Sequence, residues 1–125
     1  MKPSNPVINL AAAGAGTTTQ VVSVPGASGV MVIINNTAVA GGTSPTLTVN
    51  VNGVVDDGSG NTYTLLDSAA IAAGTVGVTT LTVFPGAPIT TNVSANSIIP
   101  SNLSISAVVG GTSPVVTATI SIALI

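Results

Sequence analysis

VTATISIAL, residues 116–124, alternates without a break: Val116, Ala118, Ile120, Ile122 and Leu124 fall on one parity, and Thr117, Thr119, Ser121 and Ala123 on the other. Successive side chains of a pleated strand point to opposite faces, so this run predicts a strand with one buried and one wet side. The same pattern sets Leu47, Val49 and Val51 against Thr46, Thr48, Asn50 and Asn52. It recurs where Leu103, Ile105, Ala107 and Val109 oppose Asn102, Ser104 and Ser106. Val30 to Ile34 is apolar on both parities, which suits a central strand covered on both faces or one whose outer face meets a partner. Weaker strands are expected from about Thr18 to Val24 and from Thr62 to Leu66. Between Thr75 and Phe84 the phase slips from Val76 and Val78 to Leu81 and Val83, which predicts a β-bulge at Thr79-Thr80.

Turn signals separate these runs: Pro25-Gly26, Gly41-Gly42-Thr43-Ser44-Pro45, Asp57-Gly58-Ser59-Gly60-Asn61, Pro85-Gly86, Pro100 and Gly110-Gly111-Thr112-Ser113-Pro114. Their spacing predicts an all-β chain, an antiparallel β-sandwich (jelly-roll or Ig-like) of about seven or eight strands. Helix has little room. Asp67-Ser68-Ala69-Ala70-Ile71 is the one candidate, a single turn capped by Asp67 or Ser68. GGTSP occurs twice, at Gly41 and at Gly110. The pair is either two loops at one end touching a shared partner or a recurrent hairpin solution in which Gly supplies positive φ and Pro opens the next strand.

MKPSNPVINLAAAGAG, residues 1–16, keeps no stable period and predicts an extended N-terminal arm, either lying across a neighbour or partly frayed, leaving residues 17–125 as the sandwich domain. Pro6, Val7, Ile8 and Leu10 are its candidate contacts with a neighbour. The two prolines also interrupt any export-type apolar segment.

Composition restricts the chemistry. The 125 residues hold one basic side chain, Lys2, three acidic ones, Asp56, Asp57 and Asp67, and no His or Cys. General acid–base and nucleophilic catalysis both need a base held beside a second polar group, and here only those Asp residues, Tyr63 or Lys2 are on offer. The expectation is a protein that is not an enzyme, with no cofactor and no metal. Asp56-Asp57-Gly58-Ser59-Gly60-Asn61 gathers oxygen donors but lacks the terminal carboxylate and flanking helices of an EF-hand, so it is expected to be a solvated turn. Nucleic acid is not an expected partner, because its affinity comes from Lys and Arg on phosphates. A membrane is not expected either: Val30–Ile34 is far shorter than the ~20 apolar residues of a spanning helix, and two aromatics are too few for the girdles of a membrane barrel.

Thr-x-Thr recurs at Thr17/Thr19, Thr46/Thr48, Thr62/Thr64, Thr80/Thr82 and Thr117/Thr119. Ranked threonines on a flat sheet can bind ice, but wet strand faces favour Thr without any ligand. Sheet edges need guards such as Lys, Pro or bulges, and this chain has almost no charge to use. That favours a subunit of an assembly.

Residues 46–88, TLTVNVNGVVDDGSGNTYTLLDSAAIAAGTVGVTTLTVFPGAP, followed by residues 98–124, IIPSNLSISAVVGGTSPVVTATISIAL, resemble the head decoration (cement) proteins of tailed bacteriophages. The shared order is a strand, an Asp-Gly turn, Tyr-Thr-x-Leu, a strand ending in Pro-Gly, and a final hairpin through Gly-Gly-Thr-Ser-Pro. After the proline matching Pro100 that family tends to carry Arg or an aromatic residue, where this chain has Ser101, Asn102 and Leu103. The resemblance implies a structural virion protein, made in the host cytoplasm and held on the capsid exterior. It implies a homotrimer that clamps adjacent major capsid subunits. The alternative is a phage fibre or adhesin module binding a host glycan, with an ice-binding protein a distant third.

Overall fold

A computed structural model describes residues 3–72 and 74–125 of the chain, with side chains from Val7 onward. Ten strands form two sheets packed face to face: β1 (Pro3–Ala13), β2 (Gly16–Ser23), β3 (Val30–Ala40), β4 (Thr43–Val54), β5 (Thr62–Asp67), β6 (Ile71–Ala72), β7 (Gly77–Val83), β8 (Ser94–Ala95), β9 (Asn102–Thr112) and β10 (Val115–Leu124). One sheet runs β1-β10-β3-β7-β8 and the other β2-β9-β4-β5, with β6 also pairing β4. All ladders are antiparallel except the short β7–β8 contact at Thr82–Val83.

Strand order separates the two architectures that the sequence leaves open. With the short β6 and β8 set aside, the chain crosses between sheets at nearly every step, and the last strand lies between the first and the third. That double Greek-key winding is a jelly roll. The alternating runs carry it as expected: Val116, Ala118, Ile120 and Ile122 face Leu47, Val49, Val51, Leu103 and Ile105 across one apolar core.

Three expectations are corrected. The N-terminal segment is no arm, because Pro3–Ala13 is an edge strand of the first sheet. Ile8 pairs with Ile120 and Leu10 with Ala118, and both side chains are buried in the core. Ile8 and Leu10 share a parity, and covering the flank of β10 keeps more apolar surface from water than trailing in solvent. The sandwich therefore begins with β1, not at residue 17. The second correction concerns the bulge at Thr79-Thr80. β7 pairs β3 from Val30↔Val83 to Asn36↔Gly77 without a slip. Val76 and Val78 are exposed, each at 65%, and so mimic a change of phase. The break in register lies in β3, between Thr117↔Ala38 and Ala118↔Asn36, and it moves the buried parity from Ile34 and Asn36 to Val39. Third, Asp67–Ile71 is not helical. Ser68 is buried there, its hydroxyl accepting from the Val49 amide (2.8 Å) and donating to the Ala69 carbonyl (2.9 Å), while its own amide donates to the Val49 carbonyl.

Candidate interaction surface

Register fixes which residues lie at each end of the sandwich. At one end β3 turns into β4 and β9 turns into β10, and the two GGTSP segments meet there. Thr43 lies opposite Thr112, its own counterpart in the repeat. A Cβ on Gly42 would lie 1.5 Å from the Thr112 carbonyl oxygen, and one on Gly111 2.6 Å from the Ser44 oxygen. The contact is reciprocal, as a local twofold requires. Ser44 and Ser113 both hold φ near +50° (50 and 51). The repeat is thus spent on closing this end, backbone against backbone, and the glycines are there because no side chain fits.

The opposite end carries the β2–β3 turn, the acidic loop, the long β7–β9 crossover and Ile125. The acidic loop is self-contained: the Ser59 amide donates to Asp57 Oδ1 (2.9 Å), the Asn61 amide to Ser59 Oγ (3.1 Å), and the Val55 amide to the Asn61 carbonyl (2.9 Å). Hydrogen bonds from the Ser59 hydroxyl and amide hold the Asp57 carboxyl below the usual aspartate range. Such a loop satisfies its own carboxylate. Asp67 closes β5 on the exposed side, where its carbonyl accepts from Asn92 Nδ2 (2.9 Å). Among the described residues no three acidic side chains converge. Tyr63 pairs with Gly53 in the β4–β5 ladder, and its ring covers that glycine so closely that a Cβ there would come 2.3 Å from Cζ. Lys2 lies outside the described residues.

At the same end is a mostly apolar groove of about 430 Å³, lined by Ala27, Ser28, Phe84, Pro85, Ile98, Ile99 and Ile125. Ile125 is pinned by its amide to the Gly29 carbonyl (2.8 Å) and by its carbonyl to the Ser28 amide (3.1 Å). Ile98 and Ile125 are exposed at 79% and 53%, and Ile89 in the same crossover reaches 82%. Bulky aliphatic side chains left in water make this groove the candidate contact surface among the described residues.

Of the contacts expected at the N-terminus, Ile8 and Leu10 are committed to this chain's own core, and Val7 packs against it half-buried. The backbone of Pro6 lies opposite Ser121, and its side chain lies outside the described residues. The groove was missed from sequence, although Ile98-Ile99 breaks alternation just before Pro100 and so signals apolar surface without a strand. The threonine pairs form no ranked array. On adjacent strands Thr17 faces Val108, Thr48 faces Val108, Thr64 faces Asn52, Thr80 faces Ile33 and Thr119 faces Asn35.

No protein-family model, curated protein or solved structure matches this chain.

Proposed function

We propose that this chain is a structural virion protein that decorates the outside of an icosahedral phage head and clamps neighbouring major capsid subunits. The observation that carries the reading is a jelly roll whose wet faces hold hydroxyls and amides in place of charge, with an apolar groove at one end. Jelly rolls serve in viral capsids and in lectins, so the fold alone does not choose between them. Support for the capsid comes from the groove, which offers Ile98, Ile99 and Ile125 to a protein partner, and from the scarcity of aromatic side chains on which a sugar could stack. Attachment made only on the assembled shell shifts its equilibrium toward the intact particle by mass action and needs no turnover.

The test is electron microscopy of purified virions, followed by heating particles that carry or lack the protein. Density on the head surface and earlier rupture of depleted heads are expected. Density confined to a fibre or tail tip, or equal heat resistance of both particles, sinks the reading in favour of the adhesin alternative.

A further inference from the structure

Of the edges of the two sheets, β2 alone is without a guard. β1 carries Pro3 and Pro6 and breaks register three times along β10. β5 carries Asp67 and a register shift, and β7 is partly covered by β8. β2 reads GTTTQVVS, with no proline and no charge, and pairs β9 from Gly16↔Val109 to Ser23↔Asn102 without a slip. Such an edge is a template for another strand.

Its free groups can be assigned. The Val24 amide donates to the Ser101 carbonyl at 2.7 Å, one step beyond the Ser23↔Asn102 pair. Hydrogen-bonded and non-bonded pairs alternate in an antiparallel ladder, so Gly16, Thr18, Gln20 and Val22 bond toward β9. The amides and carbonyls of Thr17, Thr19, Val21 and Ser23 therefore point to the open side, and no partner for them occurs among the described residues. There is room as well. Gly16, Thr18 and Gln20 face the opposing sheet by register yet remain exposed, so β2 stands clear of the sandwich as a flange.

We propose that β2 pairs antiparallel with β2 of a second copy of this chain about a twofold axis at Gln20. Centred there, Thr17 meets Ser23 of the second copy and Thr19 meets its Val21, and by symmetry the reverse. All the outward amides and carbonyls of the strand then find partners in one register. A foreign strand would need its own match of length and phase; the second copy has both by construction. Electrostatics permit the approach, since neither β2 nor β9 carries a formal charge and the nearest acidic residue of that sheet, Asp67, sits on its far edge. The contact is isologous and closes on two copies, which limits growth into fibres. It joins two copies where the family resemblance implies three, and it stands whether or not the protein decorates a capsid.

Gln20→Cys tests this on the full chain, which has no cysteine of its own. Facing Gln20 positions form a non-hydrogen-bonded pair, with Cα atoms about 4.5 Å apart, within disulfide reach. Thr18→Cys is the control, because its symmetry mate lies about four residues further along the strand, beyond bridging distance. Under mild oxidation the first variant should run mainly as a covalent dimer and the second at least about tenfold less so. Thr19→Pro removes an amide that bonds nothing within the chain, so it should keep the sandwich folded and weaken association at least about tenfold by sedimentation. Equal cross-linking of the two cysteine variants overturns the proposal. So does a wild-type monomer at high micromolar concentration whose Thr17, Thr19, Val21 and Ser23 amides exchange freely with solvent.

Discussion

Gly42 and Gly58 both hold positive φ, at 51 and 81, yet only the first is boxed in. Alanine at Gly58 meets open space, so its cost is the left-handed backbone alone, about 1–2 kcal/mol. Alanine at Gly42 adds a collision with the Thr112 carbonyl, which cannot swing away as a side chain could. Gly42→Ala should lose about 2–4 kcal/mol or fail to fold, with the difference between the two variants measured by urea denaturation. Equal losses would mean that the GGTSP segments do not touch. Asp57 gives a second expectation at this scale. Its folded carboxyl titrates below the ordinary 3.8, so whatever stability it adds is present above that value and is lost as pH falls through the folded pKa. Between pH 5 and 9 the melting temperature should be flat to within about 2 °C, with a small decline only under strong acid that Asp57→Asn removes.

Leu10 lies on a strand that period-two reasoning passes over. Its side chain is 4% exposed, and Leu10→Ala should cost about 2–4 kcal/mol in urea denaturation, the usual range for a buried leucine. Deleting residues 1–13 should abolish cooperative unfolding, because it uncovers the flank of β10; an unchanged transition would return the segment to the role of an arm. The difference in legibility between elements has a physical origin. Over most of β4, β9 and β10 the buried and wet faces differ in residue type, with Val108 and Ala123 as apolar exceptions on the wet parity, so parity identifies strand and core together. In β1 the buried pair Ile8 and Leu10 is surrounded by proline and alanine, and β2 buries almost nothing, so its eight residues carry hardly any pattern. Val76 and Val78 misled because an exposed valine looks the same in sequence as a buried one. Strand order stayed open because alternation says which face is buried and is silent about which neighbour pairs. The candidate groove was hidden for a related reason: Phe84, Ile98 and Ile125 are brought together only by the crossover and the β2–β3 turn.

Across the whole molecule, four formally charged side chains serve 125 residues, so its surface consists mainly of hydroxyls, amides and apolar groups. Exposed charge pairs contribute little even where they are plentiful, and salt screens them. Raising sodium chloride from about 0.05 to 1 M should therefore shift melting by no more than about 3 °C and leave attachment to a partner intact, as checked by calorimetry and co-sedimentation. Release at high salt would mean that Asp56, Asp57, Asp67 or Lys2 makes an ionic contact that holds the partner, against this expectation. The winding of the first sheet also bears on how the protein is made. Its β10 lies between β1 and β3, yet follows the other nine described strands in sequence. During translation β1 and β3 leave the ribosome with the place between them vacant. The sheet gains its middle only once β10 has emerged, so the nascent chain carries open edges until the other nine strands have all been made.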